Sequence, residues 1–239
     1  MNIALIGYGK MGRMVEDVCR EQGDIRIAGI VDAGHLPSLV NVPSPDVAVD
    51  FSHPDNLLPL LATAIERQIP LVLGTTGLSQ AQEESIREAA RRIAVVRAQN
   101  FSVGVTVMRR IAAEMAAALG EGFDIEIVET HHSQKADAPS GTAKMLLRAV
   151  DPRGEYEVCC GREGMTGARG REIGMHSLRG GTAAGEHSVR FFGDQEELEL
   201  RHRADSRRIF ASGAVKAARF VWQRPAGIYD MDDVLFGGR

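Results

Sequence analysis

Two adjacent histidines and a lysine form the group of residues best suited to chemistry: His131, His132 and Lys135. A histidine titrates near neutrality and can give or take a proton, and a lysine adds a compact positive charge. Before them, apolar residues alternate with others from Phe123 to Val128, which is the period-two pattern of a strand. The two histidines are therefore expected where a strand ends.

A candidate anion-binding turn follows the lysine. Pro139 interrupts regular structure, and Ser140, Gly141 and Thr142 lead into an apolar pattern typical of a helix, with Ser140 or Asp137 as its cap. Because the first N–H groups of a helix lack intrahelical partners, they attract anions. We expect a carboxylate to dock on Ser140, Gly141 and Thr142, beside the proton-transfer groups. The alternative is a solvated loop with an ordinary helix cap.

A glycine-rich turn near the N-terminus predicts a dinucleotide site. Gly7, Gly9 and Gly12 have the G-x-G-x-x-G spacing between a short apolar strand and a helical pattern. The three glycines permit a tight turn, the close approach of a pyrophosphate, and close packing of helix on strand. Asp32 ends a second predicted strand, where it could accept hydrogen bonds from a ribose 2′-OH. A glycine turn that binds no ligand is the alternative.

Strands alternate with helices through the remainder of the first hundred residues, which predicts an α/β fold with a Rossmann-type, doubly wound parallel sheet. Ligands on such sheets lie at the carboxyl ends of the strands. The rim segments selected by this rule are 50–52, 74–77 and 98–101. Each carries small, amide or hydroxyl-bearing residues, although turn residues that serve only the backbone are an equal alternative for any one of them.

The pattern changes after a helix predicted over 101–119 and the histidine loop. Runs such as YEVCCG, REIGMHSL and GEHSVRFFG read as strands separated by glycine-rich turns, which predicts a second α+β domain with a mostly antiparallel or mixed sheet. A helical period returns over 205–222. We therefore predict a dinucleotide-binding domain over 1–102 with 213–239, and a substrate-binding and oligomerisation domain over 103–212.

Composition excludes several classes of partner. The 239 residues carry a net charge of −4, which gives no basic field to attract nucleic acid or an anionic membrane. The three cysteines are an odd number and two of them are adjacent, which favours a reducing compartment. No metal-ligand spacing, signal peptide or apolar run long enough to span a membrane is apparent. These features predict a cytoplasmic location and no metal.

Several motifs together resemble one family, the dihydrodipicolinate (4-hydroxy-tetrahydrodipicolinate) reductases of bacterial lysine and diaminopimelate biosynthesis. The run ETHHSQKADAPSGTA is similar to their signature E-x-H-H-x-x-K-x-D-x-P-S-G-T. The likeness extends over nearly the whole chain, through GYGKMG, VDFSHPD, LVLGTTGLS, AQNFSVGV, GREGMTGARGREIGMHSLRGG and the terminal GIYDMDDVL. The resemblance implies NAD(P)H-dependent reduction of an unsaturated cyclic dicarboxylate, with loss of water, by a homotetramer assembled through the second-domain sheet.

The resemblance also implies roles for individual residues. His131 would be the proton donor and Lys135 its catalytic partner, while His132, Gly141 and Thr142 would bind substrate carboxylates. The residues implied to hold the cofactor are Gly7, Tyr8, Gly9, Lys10, Met11, Gly12, Asp32, Gly74, Thr75, Thr76, Ala98, Gln99, Asn100 and Phe101.

The chain departs from the family pattern near the adenosine end of the cofactor. The segment between Asp32 and Asp50 is short, and Ala33 stands where members that use both cofactors often carry a basic residue. Because the Asp32 carboxylate would repel a 2′-phosphate, we expect NADH to be preferred and NADPH to serve as an alternative. Two other functions stay open: a non-catalytic sensor of dinucleotide or metabolite, and an amino-acid dehydrogenase of similar two-domain build.

Overall fold

The computed structural model describes residues 1–237. The chain divides into two compact units, one formed by residues 1–103 together with the chain from Arg208 onward, and the other by Gly104–Arg207. Each unit has its own sheet and its own hydrophobic core. Within residues 1–237 no helix combines the length and the apolar character needed to cross a membrane.

The regular elements are numbered in chain order. The strands are β1 (Asn2–Ile6), β2 (Arg26–Val31), β3 (Val47–Asp50), β4 (Leu71–Leu73), β5 (Ala94–Arg97), β6 (Asp124–His131), β7 (Glu157–Cys159), β8 (Glu172–Arg179), β9 (Gly185–Gly193), β10 (Glu196–Ala204) and β11 (Gly227–Tyr229). The helices are α1 (Lys10–Arg20), α2 (Leu57–Arg67), α3 (Gln80–Ala90), α4 (Val103–Leu119), α5 (Gly141–Val150), α6 (Arg208–Val221) and α7 (Met231–Phe236).

The first unit contains a parallel sheet with the strand order β11-β5-β4-β3-β1-β2. Strand β1 is flanked by β2 on one side and by β3 on the other, so the chain changes direction across the sheet at this point. Ile6 pairs with Val31 and with Asp50, so the carboxyl ends of these three strands are level. The predicted doubly wound sheet is confirmed, and its reversal point lies beside the glycine turn.

Apolar side chains cover both faces of this sheet, as expected for parallel strands. Alternate residues of β1 point to opposite sides: Ile3 and Leu5 pack in a cluster with α1 and α6, and Ala4 and Ile6 pack in a second cluster with α2 and α3. The strands therefore read as continuous apolar runs. Since both faces are covered by helices, ligands can approach only at the strand ends.

An arginine secures the short segment between β2 and β3. The Nη1 atom of Arg67, the last residue of α2, donates to the carbonyl oxygens of Leu39 at 2.8 Å and Val42 at 3.0 Å. Leu39 and Val42 are themselves buried against α2. The shortened segment is therefore an ordered part of the first unit.

The second unit contains a sheet with the order β10-β9-β6-β8-β7. The β10/β9 and β9/β6 pairs are antiparallel, whereas β6/β8 and β8/β7 are parallel. The sheet is therefore mixed, which confirms the mixed form of the prediction, with its antiparallel pairs on the β10, β9 and β6 side. Ile125 and Ile127 of β6 pack in the core of this unit with Met108 of α4 and Leu146 of α5.

Some predicted boundaries shift by a few residues. Helix α4 begins at Val103 rather than at residue 101, and α6 begins at Arg208 rather than at 205. The predicted domain division at 102/103 and 212/213 stays a prediction. Residues 238 and 239, which it assigns to the first domain, lie outside the described residues. The compact units change at 103/104 and 207/208, so that α6 falls wholly in the first unit.

Candidate active site

The carboxyl end of β6 carries two side chains that interact directly. Glu129 and His131 are two residues apart on a strand, so they lie on the same face of the sheet. Nδ1 of His131 is 2.5 Å from Oε2 of Glu129. Glu129 continues the inward series of Ile125 and Ile127, and its solvent exposure is 0%. A charged residue thus occupies a core position directly beside the predicted proton donor.

The neighbouring strand supplies a counter-charge to Glu129. Arg179, the last residue of β8, is the register partner of His131, and its Nη1 and Nη2 atoms donate to the two carboxylate oxygens at 2.8 Å each. The backbone N–H of Ser140 donates to Oε1 at 3.1 Å. Burial of the Glu129 carboxyl opposes its ionisation, but these hydrogen bonds outweigh burial and lower its pKa to about 2. The group is therefore a carboxylate at neutral pH.

A buried histidine, His187, lies behind His131. His187 on β9 is the register partner of Glu129, is 4% exposed, and its ring stands edge-on to His131 with centroids 5.2 Å apart. Its Nε2 is 3.1 Å from Oγ of Ser140. Burial, aided by the charge of His131, lowers the pKa of His187 to about 4. His187 is therefore neutral at physiological pH.

Ser140 uses both of its polar groups within the protein. Its Oγ accepts from the N–H of Ala143 at 3.1 Å and caps α5, and its N–H is taken by Glu129. The side chain is 2% exposed. The cap predicted from the sequence is confirmed as Ser140, and a direct contact between its side chain and a ligand is not available in this arrangement. Gly141 is exposed and has open space at its α-carbon, and Thr142 follows it in the first turn of α5.

The loop between β6 and α5 is tied down at several points. Lys135 is half-buried, and its Nζ donates to Oδ1 of Asp137 at 2.7 Å, which lowers the pKa of Asp137. Arg179 Nη2 donates to the carbonyl oxygen of Asp137 at 2.7 Å. The backbone N–H of His132 donates to Ala183 O at 2.9 Å. His131, Lys135 and the start of α5 thus lie on one strand–loop–helix segment that these hydrogen bonds hold in place.

His132 points to a different neighbour from His131. Its ring Nε2 is 3.5 Å from Nη2 of Arg207. Both side chains carry nitrogen donors, and both remain partly accessible. They suit contact with an anionic group, because the Arg207 guanidinium is always charged and a histidine ring can also donate.

In the first unit, the glycine turn between β1 and α1 has the geometry required for close approach of a ligand. Gly7 has φ +84°, and a Cβ there would lie 2.7 Å from Phe51 O. A Cβ on Gly12 would lie 2.2 Å from Gly7 O. Gly9, by contrast, caps α1 and faces open space, and the first turn of α1 contains no acidic residue. The turn therefore fits a pyrophosphate at a helix N-terminus.

A cavity of about 450 Å³ adjoins this turn. Gly7 and Asp32 both line it, together with His35, Ser38 and Asn56. The arrangement places the predicted ribose acceptor next to the glycine turn, so the residues present fit a dinucleotide.

The other residues of the glycine turn differ in their surroundings. Tyr8 donates its hydroxyl to Glu16, and its ring packs edge-on against His35 with centroids 4.9 Å apart. Lys10 is exposed, and Met11 packs against the core. The Tyr8 side chain is thus held in place by these two contacts, and the Lys10 ammonium is accessible to a ligand.

The rims of β3 and β4 are joined by a buried carboxyl group. Asp50, 1% exposed, accepts hydrogen bonds from Ser52 Oγ at 2.6 Å and Thr75 Oγ1 at 2.7 Å. Burial raises the pKa of Asp50 against these hydrogen bonds. The Thr75 side chain is therefore committed to the protein, while Thr76 is exposed and Gly74 packs closely on the Phe51 ring.

The third rim segment follows β5. Ala98 and Asn100 are partly buried, and Gln99 is exposed. Asn100 Oδ1 accepts from Ser102 N at 2.8 Å. The Phe101 side chain is 2% exposed and packs on Phe51, so it faces the core. At that position only backbone groups are available to a ligand.

Three site residues were not assigned a function from the sequence: Glu129, Arg179 and His187. Glu129 was visible as the next inward position after Ile127 and as the first letter of the signature. Arg179 and His187 are 50 and 58 residues further along the chain, and they lie beside Glu129 because β8 and β9 pair with β6 in a particular register. No local sequence pattern reveals that register.

Comparisons with known proteins identify the family. Two family models match the chain: "Dihydrodipicolinate reductase, N-terminus" over residues 1–101 and "Dihydrodipicolinate reductase, C-terminus" over 104–235. The 4-hydroxy-tetrahydrodipicolinate reductase of an Exiguobacterium species is 42% identical and covers 98% of this chain and 95% of its own length. The protein of the same name from Akkermansia muciniphila is 44% identical and covers 95% of this chain and 94% of its own length.

A solved structure shares the fold. The dipicolinate-bound dihydrodipicolinate reductase from a Paenisporosarcina species superposes with a TM-score of 0.80 at 24% identity, covering 98% of this chain and 99% of that one.

Proposed function

The chain belongs to the dihydrodipicolinate reductase family, and from this we propose that His131 is the proton donor and Lys135 its catalytic partner. The chain is an NAD(P)H-dependent oxidoreductase that reduces 4-hydroxy-tetrahydrodipicolinate to tetrahydrodipicolinate, a step of lysine and diaminopimelate biosynthesis. The relatives are reductases, so neither a sensor nor an amino-acid dehydrogenase is favoured. The observation that carries the assignment is the contact of His131 with a buried carboxylate beside the start of α5.

His131 suits proton donation to the reduced ring. When bound, the nicotinamide would supply a hydride to the substrate ring, and a protonated His131 could neutralise the negative charge that this transfer leaves. Nδ1 is engaged by Glu129, so Nε2 is the nitrogen that would carry the transferred proton. The ring is partly exposed, which gives it access to a ligand.

Lys135 and the first turn of α5 suit a dicarboxylate. The Lys135 ammonium lies on the loop that directly follows His131, and a positive charge there lowers the cost of adding electrons to an anionic ring. The N–H groups of Gly141 and Thr142 open the helix and attract a carboxylate. His132, with Arg207 at its side, would hold the second carboxylate. Ser140 would contribute by fixing the turn, since its side chain is internal.

Substitution of the two catalytic candidates tests these roles. We expect His131→Ala and Lys135→Ala each to lower kcat by about 10² or more, because a general acid supplies roughly 10² to 10⁴ in rate and a group that stabilises developing charge roughly 10² to 10³. NADH binding should stay near the wild-type value, since the glycine turn belongs to the first unit. Turnover of freshly prepared 4-hydroxy-tetrahydrodipicolinate is followed at the nicotinamide absorbance. A variant that keeps more than about half of kcat would refute the role of that residue.

NADH is the proposed preferred cofactor. Asp32 is exposed at the end of β2 and lines the cavity beside the glycine turn. His35, a cation only when protonated, packs against Tyr8. The exposed Lys10 lies on the glycine turn, where a pyrophosphate common to both cofactors would meet it. The carboxylate at Asp32 therefore sets the preference against a 2′-phosphate. The remaining cofactor contacts would come from residues 74–76 and 98–101.

The assembly and location are also proposals. A homotetramer formed through the second-domain sheet agrees with the exposed apolar side chains of Val158, Leu178 and Leu198 on that sheet, and light scattering after gel filtration would measure its mass. A cytoplasmic location agrees with three free thiols, Cys19, Cys159 and Cys160. Fractionation of cells that express the protein would test it.

A further inference from the structure

Glu129 is a fully buried charge that the proposed reaction does not consume. A carboxylate is kept out of water only where partners replace its hydration. Each oxygen of Glu129 has two partners: Oε1 accepts from Arg179 Nη2 and Ser140 N, and Oε2 accepts from Arg179 Nη1 and contacts His131 Nδ1. With these four contacts the carboxylate has one fixed orientation.

This orientation determines which nitrogen of His131 carries the permanent proton. An ionised carboxylate can only accept hydrogen bonds. At 2.5 Å from Oε2, Nδ1 of His131 must therefore be the donor, both before and after the ring gives up its other proton. Nε2 is left as the exchanging nitrogen. A Cβ on Gly185 would stand 3.1 Å from Nε2, so a glycine there keeps that side of the ring open.

The groups around the His131 ring include one ion pair and one neutral histidine. Arg179 neutralises Glu129, and His187, which faces the His131 ring at 5.2 Å, is neutral because burial lowers its pKa to about 4. A proton on His131 therefore meets no second imidazolium. The same three strands, β6, β8 and β9, hold all of these groups in register.

We propose that Glu129 is a positioning residue that fixes the tautomer and the ring orientation of His131, and that Arg179 and the N–H of Ser140 hold Glu129 in place for this purpose. The inference rests on the proposed role of His131 as proton donor. It assigns to the buried carboxylate an effect on turnover without any contact with substrate or cofactor.

The substitution Glu129→Gln tests the positioning, because it keeps the size of the side chain but replaces one acceptor oxygen with an NH₂ donor. Oε1 accepts from two N–H donors that do not titrate near neutral pH, those of Arg179 Nη2 and Ser140 N, so a Gln amide would place its single oxygen there. Its NH₂ would then occupy the Oε2 position and face His131. Nδ1 would then face a donor and the opposite tautomer would be favoured. We expect kcat to fall at least about tenfold, with KM for NADH and substrate within about threefold of wild type.

Two further measurements distinguish this from a structural defect. Solid-state ¹⁵N spectra of histidine-labelled protein at alkaline pH should show the Nδ1–H tautomer for His131 in the wild type and its loss in Glu129→Gln, with the signal assigned from His131→Ala. Added to His131→Ala, Glu129→Gln should cause no further loss of kcat, because the two residues act as one unit.

The same strand offers a matched control. Glu126 lies on the opposite face of β6, and its Oε2 is 2.6 Å from Nε2 of His176 in a similar carboxylate–histidine pair with arginine partners. Glu126→Gln should keep wild-type kcat and the His131 spectrum. A loss equal to that of Glu129→Gln would overturn the inference.

The outcomes separate the two proposals. If His131→Ala is inactive while Glu129→Gln keeps wild-type kcat and the Nδ1–H signal, positioning by Glu129 is refuted and the proton donor stands. If His131→Ala is active, the proposed donor fails and the inference fails with it. Should Glu129→Gln not fold, Glu129→Asp keeps the charge but withdraws it by about 1.5 Å, one C–C bond. It should also lower kcat without raising either KM, and full activity would count against the inference.

Discussion

Removal of the Ser140 hydroxyl is expected to destabilise the second unit by more than the loss of a helix cap. Ser140→Ala removes the acceptor for Ala143 N–H, which costs about 1 kcal/mol for a typical cap. It also leaves Nε2 of His187 buried without a partner, at a cost of about 1–3 kcal/mol. The free energy of unfolding should therefore fall by about 2–4 kcal/mol.

A second serine cap provides the comparison. Ser79 caps α3, and its hydroxyl bonds only to Gln82 at an exposed site. Ser79→Ala should therefore cost about 1 kcal/mol. Urea unfolding followed by far-UV circular dichroism measures both, and hydrogen exchange with mass spectrometry shows whether the α5 amides of Ser140→Ala lose protection first. Equal losses in the two variants would refute the reasoning that the contact with His187 contributes to stability.

Three further predictions concern acid, the glycine turn and the cofactor. The folded-state pKa of His187, about 4, lies below its usual 6.5. The contribution of neutral His187 to the free energy of unfolding should therefore be complete above pH 6.5 and should fall by roughly 3 kcal/mol towards pH 4. Urea unfolding at a series of pH values measures this slope, which His187→Gln should flatten. Gly9→Ala should fold normally but raise KM for NADH at least about threefold, because its Cβ enters the space where the pyrophosphate would approach. Gly12→Ala should lower the melting temperature, because its Cβ meets the backbone of Gly7. Similar melting temperatures for the two variants would contradict this reasoning. The ratio of KM for NADPH to KM for NADH should be a few-fold or more and should fall in Asp32→Ser; an unchanged ratio would show that Asp32 does not contact the ribose.

Features that depend on short stretches of chain were predictable. The glycine spacing, the alternation before His131 and the cap at Ser140 each involve neighbouring residues, and the structure shows the predicted turn, strand end and helix start. The parallel sheet followed from the order of strands and helices. The turn, the strand end and the helix start depend on local geometry, and the sheet depends on the alternation of strands and helices.

Features that depend on register were not predictable. Arg179 reaches Glu129 because β8 runs parallel to β6, and the period-two pattern of β8 is equally compatible with an antiparallel partner. Burial is also not apparent from the sequence: the pattern presents Asp50 and Ser140 as groups that could contact a ligand, but their side chains form hydrogen bonds inside the protein. A polar residue beside a predicted site satisfies either a ligand or its neighbours, and composition does not distinguish the two.

The pairing of β6 with β8 also constrains how the chain can change in length. Because side chains alternate along a strand, removing one residue from within β8 would carry Arg179 to the opposite face of the sheet, away from Glu129. The exposed residues between β7 and β8, such as Gly164 and Met165, can be added to or deleted without that effect. Insertions and deletions in this half of the molecule should therefore be tolerated in that loop, whereas a shift of a single position within β8 would abolish turnover even if every residue of the site were retained.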